Sequence, residues 1–207
     1  MTAKTPPQPL TIGVLALQGA YDAHARTLTT LGAIPRLVRT PAELDSLDGL
    51  IMPGGESTTM LKFLERKGFF EILQTYVRTT PTFGTCAGAI LLATHVEAPA
   101  QRSLAALDIT VERNAYGRQI DSTILTAETS LPGGPIEMVF IRAPRIRLTG
   151  PGVETLATRD GFPTLIRQGH FLAATFHPEL TEDYRVHQLF LDIVREASSS
   201  QSPTTAA

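Results

Sequence analysis

Phe83-Gly84-Thr85-Cys86-Ala87-Gly88 decides how the rest of the chain is read. It holds the only cysteine among 207 residues. A β-prone run, Pro81-Thr82-Phe83, leads in, and a small-residue helical run, Ala87-Gly88-Ala89-Ile90-Leu91-Leu92-Ala93, leads out. Gly84-Thr85-Cys86-Ala87-Gly88 is a G-x-C-x-G pattern, the thiol counterpart of the G-x-S-x-G nucleophile elbow. Glycine on both sides lets the backbone turn sharply and leaves room for a substrate against the main chain. A cysteine so placed stands at a helix N-terminus, where partial positive charge favours thiolate over thiol. Free cysteine also packs as a small buried hydrophobe; the glycine frame is what favours a nucleophile here.

The flanking segments alternate in period. Leu10-Thr11-Ile12-Gly13-Val14-Leu15-Ala16-Leu17 is nearly continuous in apolar residues and reads as a strand buried on both faces. Residues 20–31 have helical spacing and stop at Gly32, a good C-cap. Further strands are expected at 34–38 and 47–52, and helices at 58–67 and 69–78. Strands alternating with helices imply a parallel sheet with helices on both faces. From 107 to 140 the pieces are short and broken by Gly117 and Pro132-Gly133-Gly134-Pro135, which points to antiparallel hairpins. Strands at 153–158 and 164–168 flank the turn Arg159-Asp160-Gly161. A strand at 171–176 ends at His177-Pro178-Glu179, and a final amphipathic helix covers 183–197. The expectation is one domain over 10–197, with flexible termini at 1–9 and 198–207.

Composition sets limits. Hydrophobic residues make up 43%, charged residues 18%, and the net charge is −2, so no basic footprint for nucleic acid exists. A single cysteine excludes an internal disulfide and fits a reducing compartment, the cytoplasm. The apolar runs fall far short of a membrane span. The N-terminal residues 1–9 are polar and proline-rich, without an apolar signal core.

A cysteine nucleophile needs a base and an orienter for that base. Of five histidines, His24 and His187 fall in the first and last helices, where solvated faces explain them. His95 follows the elbow helix with only Glu97 nearby, and His170 sits in a turn. His177 ends a strand and precedes Pro178, which disfavours helical geometry in the residue before it. Extended backbone points residues two apart the same way, so Glu179 reaches the imidazole. Cys86 and His177 both occupy strand C-terminal ends, the edge where open α/β sheets build sites. Together they suggest a Cys86–His177–Glu179 triad. Pro53-Gly54-Gly55-Glu56-Ser57 offers exposed backbone N–H groups for an oxyanion, or a tight turn capped by Ser57; no Gly-Lys-Ser/Thr follows, so it is not a P-loop. Arg142, Arg145 and Arg147 cluster, and Arg113 and Arg118 flank Asn114-Ala115-Tyr116-Gly117. They read as solvated surface groups or as a guanidinium clamp for an amino-acid carboxylate.

Taken together, these pieces resemble the class I, triad-type glutamine amidotransferases. Gly-Gly-Glu-Ser-Thr-Thr at 54–59, Glu-Arg-Asn at 112–114 and Ile-Arg-Ala-Pro at 141–144 narrow the resemblance to one branch, the glutaminase subunits of pyridoxal 5′-phosphate synthase. Leu15-Ala16-Leu17-Gln18-Gly19 and Phe176-His177-Pro178-Glu179-Leu180-Thr181-Glu182-Asp183 match as well. Departures are mild: the N-terminal lead, the Ser/Thr-rich tail, and Ala115-Tyr116 where Ser-Phe is common. The resemblance implies a flavodoxin-like α/β fold, a mainly parallel sheet with helices on both faces plus antiparallel hairpins. It implies Cys86 as nucleophile, His177 as base then acid, and Glu179 as orienter. The backbone N–H groups of Gly55 and Ala87 would form the oxyanion hole. L-glutamine would be held by Gly55, Glu56, Ser57, Arg113, Ile141 and Arg142, with no metal and no cofactor. Ammonia would pass to the synthase subunit of a hetero-oligomeric complex, with Gln18 in the segment facing it. Two other readings stand beside this one: a glutaminase subunit serving another ammonia-using synthase, and a non-catalytic flavodoxin-like binding module.

Overall fold

The structure, a computed structural model, describes residues 8–66, 68–113, 115 and 123–201. Its central sheet has seven strands in the order β10-β11-β12-β4-β3-β1-β2. These are β1 (Thr11–Leu15), β2 (Ile34–Val38), β3 (Gly49–Met52), β4 (Thr82–Thr85), β10 (Glu154–Arg159), β11 (Phe162–Gln168) and β12 (Phe171–Ala174). The run β12-β4-β3-β1-β2 is parallel throughout, while β10 and β11 add on antiparallel at the edge. The parallel five follow the flavodoxin-like order.

Side-chain alternation along each strand splits the core in two. Leu15, Leu50, Met52 and Ala173 pack beneath α2 (Ser57–Arg66), α3 (Phe69–Tyr76) and α4 (Ala87–Leu92). Ile12, Val14, Ile51, Phe83, Leu172 and Ala174 face the other way, toward α1 (Tyr21–Thr30) and α5 (Arg185–Gln201). Strands buried on both faces explain why the sequence shows continuous apolar runs rather than alternation.

The middle third is partly a hairpin and partly something else. β7 (Thr123–Ala127) and β8 (Ile136–Phe140) form the expected antiparallel pair. β6 (Leu107–Glu112) instead joins a three-stranded sheet between β5 (Ala93–Glu97) and β9 (Arg145–Thr149), parallel to β5. The elbow helix therefore ends at Leu92, and Ala93 already belongs to a strand. At the C-terminus, residues 198–201 continue α5, which corrects the expectation of a loose tail there. Ser198, Ser199 and Ser200 donate hydroxyl protons to the carbonyls of Val194, Arg195 and Glu196, which satisfies them within the helix. The rest of both expected flexible termini, 1–7 and 202–207, and the breaker Gly117 lie outside the described residues. Among those residues, no helix is long and apolar enough to cross a membrane.

Candidate active site

Three loops leave the C-terminal ends of adjacent parallel strands and meet. The first is the elbow. Cys86 caps α4 with φ 46° and ψ −100°, a left-handed backbone that costs a non-glycine residue about 1–3 kcal/mol. Its N–H donates to the Ala174 carbonyl at 2.8 Å, tying the turn to β12. The flanking glycines make room for the chain itself more than for a substrate. A Cβ at Gly84 would lie 2.7 Å from the Gly88 carbonyl carbon, and one at Gly88 would lie 2.0 Å from the Met52 carbonyl oxygen.

The second loop follows β12. His177 Nδ1 lies 2.7 Å from Glu179 Oε1. Because a carboxylate only accepts, Nδ1 carries the proton. Cys86 shares the cavity with the same ring and acts on its charge, and with Nδ1 taken by Glu179, Nε2 is the nitrogen left for the sulfur. The contact is achieved differently from the extended geometry read from Pro178. His177 has φ −111° and ψ 83°, and Pro178–Leu180 curls into a 3-10 turn that swings Glu179 back under the ring. The His177 N–H is anchored on the Val139 carbonyl at 2.8 Å.

Electrostatics follow from this packing. Burial works against charge on His177, but the hydrogen bonds to Cys86 and Glu179, and the charges of both, outweigh it and push its pKa up to about 10. Burial likewise opposes the charge of Glu179. His24 and then the His177 hydrogen bond and charge overcome that, so its carboxyl stays below the usual range. The resting His177 is an imidazolium held beside the Glu179 carboxylate.

The third loop is the glycine turn after β3. Gly54 lies flat against the imidazole, and a Cβ there would come within 2.3 Å of His177 Cε1. Gly55 has φ +145°, and a Cβ would meet Gln18 Nε2 at 2.4 Å, so only glycine fits. Gln18 braces this turn by donating to the Glu56 carbonyl at 3.1 Å. A hydrogen bond from Thr59 lowers the Glu56 pKa against the effect of burial.

The loops enclose a cavity of about 290 Å³. It is lined by Gly55, Glu56, Ser57, Arg113, Ile141 and Arg142, together with Cys86 and His177. All six residues expected to hold substrate thus share one space with two of the three expected to act; Glu179 lies behind His177, and Ala87 is buried at the start of α4. Ser57 is not a helix cap: its hydroxyl donates to Gln101 Oε1 at 3.0 Å. Arg113 donates to Thr58 Oγ1 at 2.7 Å. The arginine cluster divides. Arg142 lines the cavity, whereas Arg145 and Arg147 turn toward Glu112 and stack near Phe162. Arg118 and Asn114 lie outside the described residues.

Two residues were misread. His24 and His187 are fully buried and touch one another, not solvent. The signal was in the spacing: His24 shares a helical stripe with Leu28 and Leu31, and His187 with Phe190, Leu191 and Val194. Gln101 and Ala20 also line or support the cavity and carry no motif that would have announced them, while Ile90 of the elbow helix and Pro144 and Leu180, from the matched segments at 141–144 and 176–183, line it without having been singled out.

The fold and the cavity together define a class I glutamine amidotransferase architecture. A solved structure described as a glutamine amidotransferase superimposes with a TM-score of 0.83 at 45% identity, over 89% of this chain and 98% of that one. A putative GMP synthase protein from Thermoplasma acidophilum shares the fold at TM-score 0.70 and 19% identity, over 94% and 98% of the two chains. The chain belongs to the SNO glutamine amidotransferase family, whose model matches residues 14–196. A pyridoxal 5′-phosphate synthase subunit PdxT from Koribacter versatilis (strain Ellin345) is 63% identical over 190 residues, 92% of this chain and 98% of that relative. The PdxT of Solibacter usitatus (strain Ellin6076) is 53% identical over 186 residues, covering 87% and 97%.

Proposed function

We propose that this chain is the glutaminase subunit of a pyridoxal 5′-phosphate synthase. It hydrolyses L-glutamine to L-glutamate and ammonia and delivers the ammonia to a synthase subunit. One observation carries the chemistry. His177 is hydrogen-bonded to Glu179, and Cys86 and His177, from adjacent strand ends, open into one cavity of amino-acid size. Family membership and the PdxT relatives support the choice of substrate and partner.

The Cys86 thiolate attacks the side-chain amide carbon, and backbone N–H groups of Gly55 and Ala87 receive the oxyanion. His177 already carries a proton on Nε2 and gives it to the amide nitrogen as the C–N bond breaks. Ammonia leaves and a γ-glutamyl thioester remains on Cys86. The thiolate is then gone, and with it two of the influences that raised the His177 pKa: the Cys86 hydrogen bond and charge. The neutral ring, still held by Glu179, now serves as a base. It takes a proton from water, which attacks the thioester, and breaking the C–S bond restores the thiolate–imidazolium pair. The same group is acid and base in turn because its neighbour's charge is consumed and regenerated.

Glutamine is gripped at its amino-acid end. Arg113 and Arg142 bring guanidinium charge to the cavity for the carboxylate, and Glu56 brings a carboxylate for the ammonium. A thiolate nucleophile requires reduced sulfur, which suits the cytoplasm. Ammonia released in water is mostly ammonium and a poor nucleophile, so a shielded transfer to a docked synthase follows from the chemistry. The experiment is glutamate release by the purified chain with and without that synthase subunit. Little turnover alone, a large rise on addition, and none with Cys86→Ala are expected. A fully active Cys86→Ala, or turnover indifferent to the synthase, refutes the reading.

A further inference from the structure

Behind Glu179 lies a pair of imidazoles that the chemistry above leaves unused. His24 comes from α1 and His187 from α5, and both are fully buried. His24 Nδ1 and His187 Nε2 are 2.9 Å apart. The other nitrogen of His24, Nε2, lies 3.1 Å from Thr85 Oγ1 and 3.5 Å from Glu179 Oε2. Thr85 immediately precedes the nucleophile, so His24 touches both arms of the site. The Phe83 ring meets both imidazoles at near-right angles, with centroids 6.2 and 5.7 Å away. Among the described residues, neither Glu179 Oε2 nor His187 Nδ1 has a hydrogen-bond partner.

The carboxylate decides where the protons sit. Burial lowers the pKa of His24 and takes that of His187 down to about 3, so both rings are neutral and each has one N–H. Suppose His24 holds its proton on Nε2. That N–H then faces two oxygens, the Thr85 hydroxyl and the carboxylate. His24 Nδ1 is a lone pair, so His187 donates to it from Nε2, and the orphaned His187 Nδ1 is a bare lone pair. In the reverse arrangement a lone pair of His24 faces the carboxylate, and His187 Nδ1–H is a buried donor with nothing to bond. An orphaned N–H is the costlier defect. The first arrangement leaves none. At 3.5 Å the Glu179 contact is electrostatic, and Thr85 takes the shorter bond.

We propose that His24 is a positioning residue for amide hydrolysis: its Nε2–H, directed by His187, holds the outer oxygen of Glu179 and the Thr85 hydroxyl, and through them keeps His177 aligned on the Cys86 sulfur. The proposal rests on the Cys86–His177–Glu179 reading. It is tested on the full chain in complex with the synthase subunit, with glutamate release as the assay. His24→Leu lowers kcat about 10–100-fold with the KM for glutamine unchanged, the size of effect usual when a partner that orients a functional group is lost. His24→Gln, whose amide N–H replaces Nε2–H, recovers most of it. In the wild type, nitrogen NMR of histidine-labelled protein finds the proton of both His24 and His187 on Nε2 at neutral pH. A folded His24→Leu with wild-type kcat overturns the proposal, as does a His24 proton on Nδ1. If the leucine variant does not fold, the NMR tautomer decides alone. Cys86→Ala separates the two levels: if it stays active the triad reading fails, and if it is dead while His24→Leu turns over normally only the role of His24 fails.

Discussion

Gly54→Ala tests the alignment of the imidazole with a single methyl group. The added Cβ would sit 2.3 Å from His177 Cε1, 2.9 Å from Nδ1 and 3.3 Å from Nε2. Ordinary carbon contacts begin near 3.4 Å, so the ring has to retreat by about 1 Å. Gly54 is not among the residues with positive φ, so alanine adds no backbone strain there. The ring cannot retreat freely. Nδ1 is bonded to Glu179 Oε1 at 2.7 Å, and the residue's own N–H is fixed on Val139. Moving it breaks alignment with either the sulfur or the carboxylate. A misplacement of this size costs about 10²-fold in rate when reacting groups must be aligned, or roughly 2.7 kcal/mol of barrier. Steady-state glutamine hydrolysis with the synthase subunit present is the assay, with thermal unfolding alongside to confirm folding. The expected result is a kcat fall of about 100-fold and an unchanged KM. A folded variant with wild-type kcat would show that the ring position is not critical and would refute the reasoning.

The His177 pKa is raised above its unfolded value, so its stabilising contribution is complete below about pH 6.5 and is lost as pH climbs through about 10. Cys86→Ala removes two of the raising influences, so NMR titration of His177 should shift downward in that variant; an unchanged midpoint contradicts the thiolate–imidazolium pair. Gly88→Ala drives a Cβ within 2.0 Å of the Met52 carbonyl oxygen, a backbone atom that cannot swing aside. A loss of about 1–3 kcal/mol is expected, read as a melting point lower by roughly 2–12 °C for a chain of this size. Arg142→Ala removes a cavity guanidinium and should raise the KM for glutamine about 10–100-fold, the worth of a charge-assisted hydrogen bond, with kcat much less affected; a KM equal to wild type argues that the carboxylate sits elsewhere.

What the sequence made legible was whatever has a short-range signature. The parallel strands carry unbroken apolar runs, and the elbow is framed by glycines, so the strand, turn and helix around Cys86 were readable in order, although β4 runs on to Thr85 and α4 stops one residue early at Leu92. Glu179 was matched to His177 for a reason that proved incomplete: the two meet through a 3-10 turn, not along extended backbone. The arginines could not be sorted, because nothing local tells that Arg142 sits in the loop reaching the cavity while Arg145 and Arg147 already lie on β9, turned toward Glu112. β5 escaped notice because its parallel partner lies beyond a loop, and nothing local marks Ala93–Glu97 as one edge of a pair. The buried histidines were missed for a different reason. Residue type suggested a solvated face, while helical position put both rings on apolar stripes, and position outweighed type.

Some of the fold's defects lie where the chemistry is. Cys86 and Arg142 are non-glycine residues with positive φ, and both line the cavity. Glu179 Oε2 and His187 Nδ1 are buried atoms without hydrogen-bond partners among the described residues. A chain selected only for stability would relieve each of these, since leucine-like packing in place of buried polar groups is commonly neutral or stabilising. Instead the strain at Cys86 and the unsatisfied atoms of Glu179 and His187 are kept along one line, from the sulfur through His177 and Glu179 to His24 and His187. That line crosses from the α2–α4 side of the sheet to the α1–α5 side. Cys86 starts the helix packed on one core, and the two histidines are rooted in the other. Orientation of the nucleophile is therefore fixed by both halves of the hydrophobic core at once, and loosening either should degrade turnover before it unfolds the chain.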